Sequence, residues 1–149
     1  MLSNKKQNGS VLVFSLILLS FLLVASLSLA IVSVSEKRSI NAVSRSVVAF
    51  QIADSGLEKM LERTYKGSCN GQRLDCLASS GDSCSVVNGS AGINGSINNG
   101  GYRVTFIKHN GSNLTNCSDS SWRADTESMR SEGNYSGTAR AVKIDINPL

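Results

Sequence analysis

The stretch NKKQNGSVLVFSLILLSFLLVASLSLAIVSVSEKR, residues 4–38, determines the fold of the amino-terminal part of the chain. It opens with two lysines, passes Gly9, and then contains no charged side chain from Ser10 to Ser35. At about 1.5 Å of rise per residue, a helix over residues 10–35 would measure roughly 39 Å. That length exceeds a hydrocarbon core of about 30 Å, so the run predicts a membrane-spanning helix.

A cleaved secretory signal is the alternative interpretation of this stretch. It would also place lysines before an apolar segment, and SLSLA, which ends at Ala30, has the small residues of a cleavage site. The apolar core of such a signal is only about 7–15 residues long. The uncharged run is much longer, which favours a retained span over a discarded signal.

Apolar periodicity continues beyond the uncharged run and predicts an amphipathic helix. The apolar positions recur at steps of three, four and seven: Ile40, Val43, Val47, Phe50, Leu57 and Leu61. This region contains no proline and a single glycine, Gly56, so we expect one helix over residues 10–64 whose stripe packs on a sheet of its own domain. Asp54 interrupts the stripe and is either solvated or paired with Lys59 or Arg63.

Four cysteines follow the helix, at Cys69, Cys76, Cys84 and Cys117. An even number of cysteines in an exported segment favours two disulfides, and therefore an extracytoplasmic setting. The spacings lack the paired short C-x₂₋₄-C motifs of structural zinc sites. Three connectivities exist, of which we favour Cys69–Cys76 or Cys69–Cys84, with Cys117 bonded to one of the cysteines that remain.

The segment that follows the predicted helix is rich in turn-forming residues. We interpret residues 65–101 as irregular loop with one short helix near residues 73–78. After this loop, Tyr102, Val104 and Phe106 alternate with polar residues, which predicts a strand followed by a turn at residues 109–111.

The carboxyl-terminal part predicts two more strands. They are expected over residues 126–131 and 138–146, separated by a turn that contains Gly133 and Asn134, with the aliphatic residues of the last strand facing inward. Three or more antiparallel strands packed on a helix make an α+β fold. The fold class predicted is therefore α+β, with a long amino-terminal helix on a small, disulfide-braced antiparallel sheet.

Residue types that carry catalysis or metal binding are sparse. The single histidine, His109, lies in the turn-like sequence KHNG, and no nucleophile elbow, P-loop, HExxH or dinucleotide motif occurs. The loop aspartates lack the spacing of an EF-hand, so we interpret them as solvated charges. The sequence predicts no enzyme, no cofactor and no metal site.

Charge and aromatic content give little support to a nucleic-acid partner. The net charge of +4 is spread along the chain, without a dense Lys/Arg stretch beyond 5–6 and 37–38. Trp122 and Tyr135 could form an adhesive surface, but aromatic residues in so small a domain favour a place in the core.

Together these features resemble a type IV pilin-like protein. Residues 9–39, followed by AFQIADSGLEKML at 49–61, are similar to the amino-terminal region of PilX-type minor pilins, with their Ala-Phe-x-x-Ala-acid-x-Gly/Ala-Leu/Val-Glu pattern. SEGNYSGTARAVKIDI at 131–146 is similar to the segment that leads into the last strand of many pilin-like proteins. The middle of the chain has no such resemblance.

The resemblance implies that a prepilin peptidase cuts between Gly9 and Ser10 and methylates the new amino terminus. Its other implied partners are the lipid bilayer before assembly, an inner-membrane assembly platform, and other pilins or pseudopilins contacted through the helix. It divides the chain into four segments: a leader over 1–9, a transmembrane segment over 10–35, an amphipathic continuation over 36–64, and a small extracytoplasmic β-rich domain over 65–149.

One position departs from the pattern of major pilins. They carry a glutamate at the fifth residue of the mature chain, which is Phe14 here. Family members that lack this acid are associated with the filament tip or with initiation, so the resemblance implies a minor or tip subunit in a type IV pilus-like or type II secretion-like filament. The alternative is a single-pass, membrane-anchored extracytoplasmic binding module that does not polymerise.

Overall fold

A computed structural model gives the fold of most of the chain. The residues it describes are 8–66, 69, 72–78 and 81–146. The greater part of the predicted leader, residues 1–7, lies outside the described residues. The chain forms two compact units, Met1–Ala42 and Val43–Leu149.

The first element is one continuous helix, α1, which spans Asn8–Tyr65. Its described part begins two residues before the predicted helix and ends one residue after it. Because no proline interrupts the backbone hydrogen-bond ladder, the helix continues from the apolar run into the region that packs on the sheet. Within the described residues it is the one helix long and apolar enough to cross a membrane.

Among the described residues, five antiparallel strands form one sheet in the order β1-β2-β3-β4-β5. Their bounds are Ser83–Val87 for β1, Ser90–Ile97 for β2, Gly100–Lys108 for β3, Thr126–Tyr135 for β4 and Thr138–Asp145 for β5. A 3₁₀ turn at Leu74–Leu77 precedes the sheet, and a one-turn helix, α2, at Trp122–Asp125 precedes β4. The fold is therefore α+β, as predicted.

Three of the four strand connections are two-residue turns. Both central residues have positive φ at Asn88-Gly89 (52° and 73°), at Asn98-Asn99 (49° and 63°) and at Ser136-Gly137 (50° and 79°). This pair of left-handed conformations is the type I′ turn, whose twist matches that of the strands it joins. Short turns of this kind leave each strand beside its neighbour in sequence, which gives the meander order.

The interpretation of residues 65–101 as irregular loop is wrong, because β1 and β2 occupy much of it. Asn88-Gly89 is a typical hairpin turn sequence, but Gly92 and Gly95 of β2 interrupt the alternation of apolar and polar side chains by which a strand is recognised. Those glycines accommodate neighbouring side chains: a Cβ on Gly95 would lie 2.2 Å from Asp82 Oδ1 and 2.5 Å from Tyr102 Oη. The short helix near residues 73–78 is present as the 3₁₀ turn.

The predicted turn at Gly133 and Asn134 is also wrong, because β4 continues through both residues to Tyr135 and the chain turns at Ser136-Gly137. Gly133 has a different role. A Cβ at this position would lie 2.2 Å from the carbonyl oxygen of Ala49 and 2.5 Å from the backbone nitrogen of Ala53. The glycine allows the backbone of α1 to approach the backbone of β4.

The second half of α1 crosses the strands. Ala49 and Ala53 lie over β4, and Gly56 lies against the ring of Tyr102 on β3. Further along the helix, Lys59 and Arg63 reach Asp82, immediately before β1. Successive turns of one helix therefore contact successive strands of the sheet.

The helix face on the sheet agrees only in part with the stripe predicted from the sequence. The buried residues are mostly small or flexible: Ala49, Ile52, Ala53, Leu57 and Met60. Of the predicted stripe, Leu57 is buried and Leu61 half-buried, whereas Ile40, Val43, Val47 and Phe50 are at least 50% exposed. Close approach to Gly133 requires alanines at 49 and 53, whereas the larger buried residues Ile52, Leu57 and Met60 pack into the core beside that contact.

A second layer of loops covers the part of the sheet that α1 does not reach. It buries Leu74 and Leu77 of the 3₁₀ turn, Leu114, and Trp122 of α2. The indole ring meets Phe106 edge to face, with ring centroids 5.7 Å apart, and its Nε1 donates to the carbonyl of Gln72 at 3.0 Å. Trp122 is therefore a core residue and Tyr135 is half-buried, so the tryptophan forms no adhesive surface.

The four cysteines form two disulfides, Cys69–Cys76 and Cys84–Cys117, the first of the two pairings favoured above. The two disulfides brace the loop layer together. Asp75, next to Cys76, donates its backbone N–H to the carbonyl of Cys117 at 3.1 Å, so the segments that carry the two bonds are joined. The first disulfide closes a sequence separation of 7, and the second closes a separation of 33 between β1 and the loop after β3.

Substitution Gly133→Ala tests the close approach of helix and sheet. We expect a loss of roughly 3 kcal/mol of unfolding free energy, since a methyl group would meet helix backbone that has no rotamer to change. The measurement is urea unfolding of a soluble fragment beginning at Glu36. Gly101→Ala is the matched control, because its Cβ would meet nothing nearer than 3.9 Å. Equal stability of the two variants would contradict the packing described here.

Replacing each cysteine pair by serine tests the disulfide contributions. In the chain-entropy account, the longer closed loop stabilises more, by about 4 kcal/mol for Cys84–Cys117 against about 2.5 kcal/mol for Cys69–Cys76. The Cys84/Cys117 double variant should therefore melt at a lower temperature than the Cys69/Cys76 double variant. The reverse order would show that native-state contacts of the shorter loop outweigh loop closure.

Candidate functional surface

The described side chains of the first compact unit are all exposed. Every side chain from Val11 to Ala42 is exposed, including large aliphatic and aromatic residues throughout the apolar run. Apolar side chains on all sides of a helix are typical of a segment surrounded by lipid or by other protein. This property, and not a pocket, is the dominant feature of the unit.

Four serines in the apolar run have their hydroxyl groups satisfied within the helix. Ser15 donates to Leu12 O at 2.9 Å and Ser20 to Ile17 O at 2.8 Å; Ser26 and Ser28 bond in the same way to carbonyls four residues back. Such back-bonding removes an unsatisfied donor that would be costly in hydrocarbon. The serines therefore do not disqualify the segment from a bilayer.

The predicted processing site lies at the start of this helix. Gly9 and Ser10 are in the first turn of α1, and Phe14, where the sequence resemblance would place an acid, exposes 64% of its surface. Cleavage after Gly9 stays a prediction. With Phe14 at this position, residues 8–15 of the helix carry no charged side chain that could pair with a partner's amine.

The part of α1 that belongs to the second unit begins with an exposed apolar stripe formed by Val43, Val47 and Phe50. Their exposed fractions are 60, 50 and 50%. The spacing of four and three places them on one side of the helix, away from the alanines that contact β4. This side follows Glu36, Lys37 and Arg38 in sequence, where a bilayer span would already have ended.

At the other end of the sheet-packed segment, a buried carboxylate fixes the helix. Asp82 has a side chain only 2% exposed and accepts from Lys59 Nζ at 2.8 Å and Arg63 Nη1 at 2.8 Å. Tyr102 Oη donates to the same carboxylate at 2.8 Å, and Arg63 also donates to the carbonyl of Leu77. We call these four residues the Asp82 cluster: Lys59, Arg63, Asp82 and Tyr102.

Electrostatics within the Asp82 cluster favour the charged carboxylate. Burial alone would raise the pKa of Asp82, but hydrogen bonds from Lys59, Arg63 and Tyr102 outweigh burial and lower it. Burial would likewise lower the pKa of Lys59, whereas its bonds to Asp82 and Tyr102 raise it. Burial raises the pKa of Tyr102, so the phenol stays a donor. The cluster is suited to fastening α1 rather than to acid–base chemistry at neutral pH.

The remaining sequence-predicted residues do not converge with these features. His109 lies exposed in the turn after β3, and Asp54 is exposed while Lys59 and Arg63 pair with Asp82. Within the described ranges, no three histidine, cysteine, aspartate or glutamate side chains are grouped to hold a metal ion. Sequence reasoning missed the Asp82 cluster, because nothing local links Asp82 to a helix some twenty residues earlier.

Comparisons with models of protein families, with curated proteins and with solved structures found no match for this chain.

Substitution Asp82→Asn should destabilise the domain by roughly 2 kcal/mol at pH 7, because two cations lose their shared carboxylate. Since the folded-state pKa is lowered from 3.8, this stabilisation is present above the unfolded pKa and is lost as pH falls through the lower folded value. The difference between wild type and variant should therefore shrink below about pH 4.

Urea unfolding of the soluble fragment at pH 7, 5, 3 and 2 measures this difference. Asp145→Asn is the control, because that carboxylate is 82% exposed and its ion pair with Lys143 lies at the surface. It should change stability by less than about 0.5 kcal/mol at each pH. A difference for Asp82→Asn that stays constant down to pH 2 would contradict a role for the charge.

Proposed function

We propose that this protein is a structural subunit of a type IV pilus-like or type II secretion-like filament, with a pilin-like fold and a PilX-type amino-terminal region. In this proposal, a prepilin peptidase removes residues 1–9 and methylates Ser10. The apolar helix is held in the cytoplasmic membrane with the disulfide-braced domain outside, and then packs among the helices of other pilins at the cell surface.

The observation that carries the proposal is the extent of exposed apolar surface along α1. A bilayer crossing needs about 20 apolar residues, and the run from Val11 to Ser35 already exceeds that. The exposed stripe Val43, Val47 and Phe50 lies after the charged residues 36–38, where lipid headgroups and water would be met. Exposed apolar residues in such a place favour burial against protein.

Packing among helices requires no charge pair within the helix. In a low-dielectric environment an ionised carboxylate is costly unless it is paired, and Phe14 removes both that cost and the pairing. The helix can still pack through Leu, Val, Phe and small residues by shape. A subunit that contributes no acid fits best where no neighbour depends on one, which supports a minor, tip or initiating position.

A single-pass tethered module that never polymerises is the second candidate. It is favoured by the one helix of sufficient length and apolarity to span a membrane, which an anchor would share. It leaves the exposed stripe of the second unit without a partner.

The mass of the amino terminus of the native protein tests the proposal directly. We expect a chain that begins at methylated Ser10, and retention of the leader in Gly9→Val, because a side chain at this position should obstruct the peptidase. An intact Met1 in the mature protein would favour the tethered module.

Filaments sheared from cells that produce variants of the exposed stripe test whether this stripe packs against other subunits. Phe50→Ser should reduce recovery of the protein in sheared filament fractions about tenfold or more, because an apolar contact is lost at no cost to the domain core. Gln51→Ser, at the adjacent exposed position, is the control and should be recovered like wild type. Equal recovery of both variants would contradict packing through this stripe.

A further inference from the structure

A polar trough of about 540 Å³ lies on the face of the sheet opposite α1. Along β3, Tyr102, Val104 and Phe106 are buried towards the core, so the alternating residues Arg103 and Thr105 face outward. The outward sides of β3 and β4 form the floor, and the β1–β2 turn and the loop after β3 form the walls. The volume falls within the range of about 300–1,000 Å³ typical of small-ligand sites.

Strand register fixes the charges of the floor. Arg103 lies directly opposite Glu132, and Thr105 lies directly opposite Arg130. Residues opposite each other on one face of a sheet have Cβ atoms about 5 Å apart. The floor therefore carries two guanidinium groups and one carboxylate in adjacent rows, which leaves one positive charge uncompensated.

The two arginines differ in what they can offer a ligand. Arg103 is held by the protein: Nη1 donates to Asn94 Oδ1 at 2.8 Å and Nη2 donates to the carbonyl of Ser90 at 2.7 Å, with further bonds to Ser85. Arg130 is exposed, and none of the ion pairs found among the described residues includes it. The guanidinium of Arg130 is thus the cation accessible in the trough.

Primary amides and hydroxyl groups surround these charges. Asn88 and Asn134 are exposed at the trough, each with a donor and an acceptor, and Thr105 adds a hydroxyl. The apolar part of the lining comes from Val87, Ile107 and Tyr102, and the other side chains of the lining are polar or charged. Sites for apolar ligands are lined mainly by hydrophobic and aromatic groups, so this lining favours a ligand rich in hydroxyl groups.

We propose that the trough binds an acidic carbohydrate, whose carboxylate pairs with Arg130 and whose hydroxyl groups bond to the surrounding amides. The single uncompensated positive charge matches one carboxylate, and guanidinium recognises a carboxylate by two parallel hydrogen bonds. Glu132 accepts from sugar hydroxyls beside it. This inference does not depend on filament assembly, because the trough lies wholly within the second unit.

Methyl NMR of the full chain in detergent micelles tests the proposal, with ¹³C-labelled isoleucine and valine methyl groups. Val87 and Ile107 report on the trough, whereas the buried Ile93 and Val104 are internal references. The probes are a trimer of galacturonic acid, the neutral trimer maltotriose, and acetate. We expect saturable shifts of the trough methyls with the acidic trimer alone.

Two matched variants identify the cation. Arg130→Gln should weaken binding of the acidic trimer about tenfold, equivalent to about 1.4 kcal/mol. Lys143→Gln should change it less than about twofold, because Lys143 lies directly across from Arg130 on β5 but outside the trough.

Several outcomes would overturn the proposal. Equal shifts with maltotriose would remove the role of the carboxylate, and equal shifts with acetate would reduce the effect to a simple anion. The absence of any shift, or unchanged affinity in Arg130→Gln, would reject the site itself.

Discussion

The close approach between the backbone of α1 and the backbone of β4 constrains the rest of the fold. At Gly133 no Cβ can be accommodated, because helix atoms of Ala49 and Ala53 occupy that space. Contact at this distance requires small residues on the helix as well, so the sheet-facing side is rich in alanine. Ile52 and Leu57 of the same helix are buried in the core, whereas Val43, Val47 and Phe50 lie on its exposed side and form the exposed stripe.

The helix alone does not complete the core, because it crosses the strands and covers only part of the sheet. Burial of the rest depends on the loop layer with Trp122, Leu74 and Leu114. Loops have little regular hydrogen bonding of their own, and each disulfide has at least one cysteine in this layer: Cys69–Cys76 lies within it, and Cys84–Cys117 joins it to β1. The Asp82 cluster joins the two parts, since Arg63 bonds to both Asp82 and the carbonyl of Leu77.

Sequence reasoning succeeded where the determining interactions are local. The extent of α1 follows from an uncharged run without proline, and the inward face of β3 follows from the alternation of Tyr102, Val104 and Phe106. It failed where a residue serves a distant partner. Gly133 and Gly95 were indistinguishable from turn glycines, although Gly133 makes room for the backbone of α1 and Gly95 makes room for Asp82 and Tyr102. The helix stripe was assigned by residue size, although the contact with Gly133 selects alanine.

The candidate sites also differ in whether a local sequence pattern reveals them. Gly9, Ser10 and Phe14 were identified from a linear pattern and keep the status of predictions. The Asp82 cluster depends on how α1 packs against the segment before β1, and the trough at Arg130 depends on the register of β3 and β4; no local sequence pattern reveals either.

The type I′ turns also determine where the entropy cost of forming the sheet is concentrated. Three connections close loops of two residues, for which the ends are already adjacent, so these pairings add little loop-closure entropy. The one long connection runs from the end of β3 to the start of β4 and contains Cys117. The Cys84–Cys117 bond ties that connection to β1. It therefore reduces the conformational entropy of the unfolded chain in the segment whose closure costs the most entropy.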